Sequence, residues 1–288
     1  MSEDNAIKQQ VREFYNRVGW QVVSDGMYQN ARYEDLRPVS AEYIHRCHLR
    51  VRQALNPAGK YLLDAGCGPI QYPEYLTYSE GYQYRVCLDI SIVALQEARK
   101  RIGAQGLFVV ADVANLPFRS EVFDGEVSLH TLHHLPVEDQ VKAYRDLFRV
   151  LKPGSSAVLV NGWTDSPLMH PFQWLVNGME RIGKRRIQAA TTPAEKPTPL
   201  AKVVEPTGTY IHKQDALWLR TIMGDIQGLE FDIHVWRSVS VRFLRAVIHP
   251  RLAGAFWLRR LFALEERFPH YFGEKGQYPL VIIRKPGA

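Results

Sequence analysis

Asp64, Asp89 and Asp112 each directly follow a short apolar run, and this repeated placement is the first chemical signal in the chain. Asp64 opens the turn Asp64-Ala65-Gly66-Cys67-Gly68-Pro69. Gly66 and Gly68 let the backbone turn sharply and approach a ligand with no Cβ in the way. A helix following such a turn offers unpaired N–H groups. These features suit a nucleotide-type ligand, although a lone Gly-x-Gly is a weak signal. A dinucleotide fingerprint needs a third glycine at position 71, where Gln71 stands. An acid ahead of the glycines suits instead a ligand that carries a cation and no pyrophosphate. Asp89 presents two acceptor oxygens, enough for a pair of ribose hydroxyls. Asp112 falls where it can reach an exocyclic amine of a base. Singly, each acid reads as well as a turn former, a helix cap or a loop residue. All of them fall where open α/β sheets bind ligands, and that coincidence favours the site.

The elements that must position these acids follow from periodicity. Apolar runs at 61–63, 85–88, 107–110, 122–129 and 157–160 alternate with helical patterns near 71–80, 91–102 and 138–150. Short buried strands separated by helices imply βαβ units and a parallel sheet. Helical patterns at 5–18 and 40–55 precede the first strand. A helix, strand, helix and strand follow near 213–223, 229–239, 251–267 and 278–284. Residues 184–209 break the rhythm: Lys184-Arg185-Arg186 leads into a stretch holding Pro193, Pro197, Pro199 and Pro206, expected to be a long loop. The expected fold class is α/β, a doubly wound Rossmann-like sheet of seven mostly parallel strands with an antiparallel last strand. One domain is expected over 1–288. Its parts are a helical cap (1–58), a ligand-binding core (59–162), a lid or insertion after strand five (163–212), and the rest of the sheet with a basic amphipathic helix (213–288).

Composition narrows the class further. The 288 residues are 46% hydrophobic and 23% charged, ordinary for a globular protein. No apolar run is long enough to span a membrane, and the polar N-terminus does not resemble a secretory signal. Cys47, Cys67 and Cys87 form neither a disulfide framework nor a metal-ligand spacing, so reduced thiols, a cytoplasmic protein and no metal are expected. The net charge of +6 fits an anionic substrate, nucleic acid or membrane face, and equally an unspecific surface. Residues 250–268 interleave Leu252, Phe256, Trp257, Leu261, Phe262 and Phe268 with Arg251, Arg259, Arg260 and Arg267. That pattern fits peripheral contact with an anionic membrane, packing on the sheet, or a homodimer.

Leu62-Leu63-Asp64-Ala65-Gly66-Cys67-Gly68 resembles motif I of the class I S-adenosylmethionine (SAM)-dependent methyltransferases. Val86-Cys87-Leu88-Asp89-Ile90-Ser91 resembles their second motif. Ala111-Asp112-Val113-Ala114-Asn115-Leu116-Pro117-Phe118, Leu132-His133-His134-Leu135 and Phe148-Arg149-Val150-Leu151-Lys152-Pro153-Gly154 resemble segments of the branch acting on many small molecules, with Ser155 where that branch has a further glycine. The resemblance covers residues 59–162 closely and 210–285 loosely. It implies SAM as cofactor and S-adenosylhomocysteine as product. Asp64, Ala65, Gly66, Cys67, Gly68, Asp89, Ile90, Asp112, Val113 and His130 are the implied cofactor residues.

The resemblance also places an acceptor pocket over the ends of strands four and five, under the cap. Histidine titrates near neutrality, so His133, His134 and His212 are the candidate general bases. The same histidines read as scaffold or loop residues, and amine acceptors need no base. Tyr15, Tyr28 and Tyr210 are the candidate acceptor contacts, since aromatic walls suit an apolar or planar molecule. A small, aromatic or hydrophobic acceptor is therefore expected. No Asn/Asp-Pro-Pro-aromatic motif follows strand four, where Ser128-Leu129-His130-Thr131 stands, and nucleic acid is not expected as a partner. An RNA or protein methyltransferase, a non-catalytic scaffold subunit and a nicotinamide dehydrogenase are the alternatives, the last disfavoured by Asp64 and Gln71.

Overall fold

The computed structural model describes residues 3–20, 34–190 and 209–287. Helix α1 (Glu3–Phe14) runs into a π-helical turn at Tyr15–Gly19, and α2 (Pro38–Ala54) leads to strand β1 (Gly59–Ala65). Then follow α3 (Pro73–Leu76), β2 (Tyr82–Asp89), α4 (Ile92–Ile102), β3 (Gly106–Val110), β4 (Gly125–Leu129), α5 (Val137–Val150) and β5 (Ser156–Val160). Beyond these lie α6 (Gln173–Ala190), α7 (Ala216–Gly224), β6 (Glu230–Arg237), α8 (Val241–Val247), α9 (Gly254–Arg267), α10 (Pro269–Lys275) and β7 (Tyr278–Arg284).

The seven strands form one sheet in the order β3-β2-β1-β4-β5-β7-β6. Strands β1 to β5 pair in parallel, and β7 runs antiparallel to both β5 and β6. The expected doubly wound sheet with a reversed last strand is thus present. Alternation along each strand feeds two cores. Leu62, Val158 and Ile282 pack with α2, α4 and α9 on one face, while Leu63, Leu159 and Ile283 pack with α5 and α7 on the other.

From β1 the chain winds outward through β2 and β3, then returns to β4 and winds the other way. Right-handed crossovers therefore put α4 and α5 on opposite faces. A crevice opens where the winding reverses, at the carboxyl ends of β1 and β4, and ligands of open α/β sheets bind there. Local chemistry starts the helices that frame it. Ser91 caps α4 by accepting from Ala94 N at 3.2 Å, and Asp215 caps α7 by accepting from Trp218 N at 2.8 Å.

Two expectations are corrected. The break expected from 184 begins later, because α6 continues through Lys184-Arg185-Arg186 to Ala190, ahead of the first proline at 193. The single helix expected over 251–267 has a shorter neighbour on each side, α8 and α10. Along α9, Leu258 and Phe262 are buried, whereas Phe256, Trp257 and Leu264, with the flanking Leu252 and Phe268, are exposed. No described helix is long and apolar enough to cross a membrane.

Candidate active site

A cavity of about 350 Å³ occupies the crevice at the strand ends. Its floor is the turn after β1. Gly66 and Gly68 both adopt positive φ, 76° and 56°. A side chain on Gly66 would collide with Thr131, and one on Gly68 would press on the Trp20 ring. The Gly66 and Cys67 amides both donate to Leu88 O, at 2.7 and 3.1 Å, so the turn is pinned to the end of β2.

Each of the three acids lines the cavity, but their surroundings differ. Asp64 is buried and ion-paired to the equally buried Arg85 at 2.5 Å. Burial raises its pKa, and the guanidinium opposes that rise. Asp64 thus holds the floor together through β2. Asp89 accepts from Gly68 N at 2.9 Å and from Ser91 N at 2.8 Å. No cation pairs with it among the described residues, and burial lifts its pKa to about 6. It lines the cavity, and a carboxylate has acceptor capacity beyond these two bonds, as a ribose diol requires. Asp112 accepts from Lys8 Nζ at 2.6 Å, and Lys8 also reaches Asp139 at 2.5 Å. The cap helix is thereby latched across the ends of β3 and α5.

Aromatic residues of the cap roof the cavity. Tyr15 and Trp20 stack with centroids 5.2 Å apart, and Trp20 lies over Gly68. Asn16 Oδ1 accepts from Ser91 Oγ at 2.7 Å, a further tie between cap and core.

The histidines after β4 form the far wall. His134 Nδ1 donates to the Tyr210 carbonyl at 2.7 Å. A carbonyl only accepts, so Nδ1 carries the proton and Nε2 of the neutral ring accepts from the Tyr15 hydroxyl at 2.8 Å. Burial lowers the His134 pKa to about 4 and keeps the ring neutral. His133 packs 4.3 Å from His134 and meets Asn161 Oδ1 at 3.1 Å; burial holds its pKa well below the ordinary value. His130 sits at φ 56°, wedged against Trp236 and Tyr278, with its pKa lowered to about 3 by burial and then by Arg237.

Of the residues expected from sequence, Asp64, Gly66, Cys67, Gly68, Asp89, Ile90, Asp112, Val113, His130, His133, His134 and Tyr15 meet at this cavity. Ala65 lies buried behind it, with its carbonyl taken by Ser128. Tyr210 contributes its carbonyl to His134. His212 is exposed outside the cavity wall, where its amide donates to His133 O. Tyr28 falls outside the described residues. Lys8, Arg85, Lys213, Glu34 and Arg237 also line the cavity, and sequence reasoning missed them. Arg85 carried a usable signal, a charged residue inside an apolar strand run, which demands a buried partner.

Residues 63–159 match the methyltransferase-domain family. With the glycine turn, the acids and the sheet order, that stretch is a class I SAM-dependent methyltransferase domain, and SAM is the cofactor of such a domain. The curated relatives match over part of the chain. A tRNA (carboxymethyluridine(34)-5-O)-methyltransferase of Arabidopsis thaliana is 39% identical over 108 residues, 37% of this chain and 25% of that protein. Methyltransferase GfsG of Streptomyces halstedii is 31% identical over 109 residues, 36% of this chain and 38% of that protein. The chain thus spans well under half of either relative. Among solved structures, the geranyl diphosphate C-methyltransferase of Streptomyces coelicolor A3(2) superposes with a TM-score of 0.53 at 14% identity. That match covers 97% of this chain and 98% of that one, a likeness of fold. A tRNA methyltransferase among the relatives removes the support for excluding nucleic acid.

Proposed function

We propose that this protein transfers the SAM methyl group to an oxygen, nitrogen or carbon nucleophile of a small acceptor and releases S-adenosylhomocysteine. The fit of the cofactor rests on the side-chain-free cradle at Gly66 and Gly68 and on the open carboxylate of Asp89. SAM supplies an electrophilic methyl for in-line displacement. Asp89 would take the ribose hydroxyls, and Asp64, tied to Arg85, keeps the turn in shape. Asp112 would offer its carboxylate to the base beside the Lys8 latch.

The observation that carries catalysis is the pair Tyr15–His134. A neutral His134 with Nε2 as its acceptor atom can receive a proton from an acceptor hydroxyl, directly or through Tyr15. His134 would take the acceptor hydroxyl's proton, or Tyr15's proton where Tyr15 relays it, as the acceptor oxygen bonds the methyl carbon and the carbon–sulfur pair leaves with sulfur, and would then pass that proton to solvent. Cap aromatics hold water out and align the nucleophile, which is where much of the rate in a displacement originates. An amine arriving neutral would use the same cavity for alignment alone.

Isothermal titration with S-adenosylhomocysteine comes first, followed by transfer of labelled methyl from SAM to panels of phenols, carboxylic acids, amines and total tRNA. Micromolar binding with turnover on a small-molecule panel supports the reading. Turnover on tRNA alone would replace it with an RNA methyltransferase, and absence of binding would remove it.

A further inference from the structure

The charged residues around the cavity pair off unevenly. Asp64 pairs with Arg85, Asp112 with Lys8, and Glu34 with Arg237 at 2.5 Å. Asp89 and Lys213 remain, one acid and one base with no ion-pair partner among the described residues. They lie at opposite ends. Asp89 terminates β2, whereas Lys213 lies over the end of β5, where a Cβ on Gly162 would come within 3.1 Å of its Nζ. Three strand steps separate β2 from β5 in the sheet, about 14 Å at 4.8 Å per step. The cation therefore stands far from the carboxylate suited to the ribose.

Its neighbourhood is built for negative charge. The same Gly162 position lies 3.2 Å from the Tyr278 ring, and the Arg237 guanidinium sits 4.8 Å from that ring's centre. Arg237 is 2% exposed and lines the cavity, yet its Nε finds no hydrogen-bond acceptor among the described residues. Thr209 Oγ1 lines the same wall, also buried and without a partner among the described residues. His130, His133 and His134, all within the electrostatic reach of Lys213, are held neutral. Burial lowers the Lys213 pKa, as expected of a cation with no anion beside it. Buried donors and an unopposed cation are costly unless something negative joins them.

We infer that Lys213, with Arg237 lining the same cavity, forms a subsite for an anionic group, a carboxylate or a phosphate, on the methyl acceptor. This rests on the methyl-transfer reading and makes the acceptor an anion with a hydrophobic body that fits beneath the cap aromatics. The SAM carboxylate is the other source of such a group, and the experiment separates the two.

Calorimetric titrations of phenyl phosphate, benzoate and benzyl alcohol are run at constant ionic strength, with and without saturating S-adenosylhomocysteine, on the wild type, Lys213→Gln and Lys213→Arg. The expected result is at least tenfold tighter binding of one anionic probe than of benzyl alcohol on the S-adenosylhomocysteine-loaded protein. Lys213→Gln removes that preference, Lys213→Arg retains it, and the S-adenosylhomocysteine affinity stays within twofold. Equal binding of charged and uncharged probes overturns the subsite. So does a loss in Lys213→Gln that falls on S-adenosylhomocysteine, because the cation then serves the cofactor. Anion binding through Lys213 in a protein that does not bind S-adenosylhomocysteine would sink methyl transfer and leave the subsite standing.

Discussion

The Tyr15 hydroxyl donates to His134 Nε2 at 2.8 Å, joining the cap to the segment after β4 across 119 residues of sequence. The Tyr210 carbonyl on the other ring nitrogen gives the bond its direction, and burial keeps the imidazole uncharged at neutral pH. Tyr15 therefore sits poised between His134 and the space an acceptor would fill.

Removing either partner has separable effects. His134→Asn should cut kcat by about 100-fold or more if the acceptor is a hydroxyl, the usual worth of a general base. Tyr15→Phe should cost less and act on both kcat and KM, because the cap stacking with Trp20 survives. The S-adenosylhomocysteine affinity should stay within a few-fold in each. Steady-state kinetics on the identified acceptor check this, and an unchanged kcat in His134→Asn would leave alignment alone as the source of rate.

Asp89 predicts a pH dependence. Burial lifts its pKa to about 6, above the 3.8 of an ordinary aspartate. The protonated form is therefore favoured by folding: its stability contribution is fully present below 3.8 and lost as pH rises through 6. At pH 7 the ligand-free protein carries a buried carboxylate with no cation beside it among the described residues; Asp89→Asn removes that charge but turns an amide NH2 against the Gly68 or Ser91 N–H, so the two effects should offset to within about 1 kcal/mol. Ribose hydroxyls need the ionised form, so S-adenosylhomocysteine affinity should fall about tenfold per pH unit below 6. Asp89→Asn should bind at least tenfold more weakly at pH 7 and lose that slope. Thermal melts and calorimetry across pH 5–8 give both readings.

The acid pattern of Asp64, Asp89 and Asp112 was legible because it is local: each acid falls at or just past the end of a strand, and strand ends are set by short-range apolar runs. That the sheet is mostly parallel followed from the alternation of short strands and helices. Partners across long separations were not legible. Lys8 reaches Asp112 over 104 residues, and nothing near Lys8 in sequence marks it as a latch. Arg237 and Glu34 lie 203 residues apart, and nothing near either in sequence marks it as half of a buried pair. The helix over Gln173–Ala190 was not legible as an element inside the expected lid or insertion of 163–212, and the prolines that point to a loop begin only at 193.

Arg85 and Asp64 should behave as a buried pair whose members depend on each other. Arg85→Leu strands the Asp64 carboxylate beneath the glycine turn and should cost about 3–5 kcal/mol. Arg85→Leu with Asp64→Asn should recover much of that loss, since no charge is then left in the core. Denaturant unfolding of the two single variants and the double variant measures the coupling. Additive losses would mean that the ion pair does not hold the floor.

Glu126 makes the last prediction, on stability alone. It lies in register between Leu63 and Ala157 in the middle of the sheet, 1% exposed, and neither carboxyl oxygen has a hydrogen-bond partner. Burial raises its pKa well above the ordinary 4.5, with Lys285 and Arg149 opposing weakly from a distance. The folded chain thus keeps this group protonated while the unfolded chain ionises it. Its contribution is fully present below pH 4.5, and stability drains away as pH rises above that value. Glu126→Gln removes the ionisation, and should match the wild type near pH 4 but be more stable by on the order of 1–3 kcal/mol at pH 8. A variant no more stable at pH 8 than at pH 4, relative to the wild type, would mean that the carboxylate finds a cation when charged, with Lys285 and Arg149 the candidates.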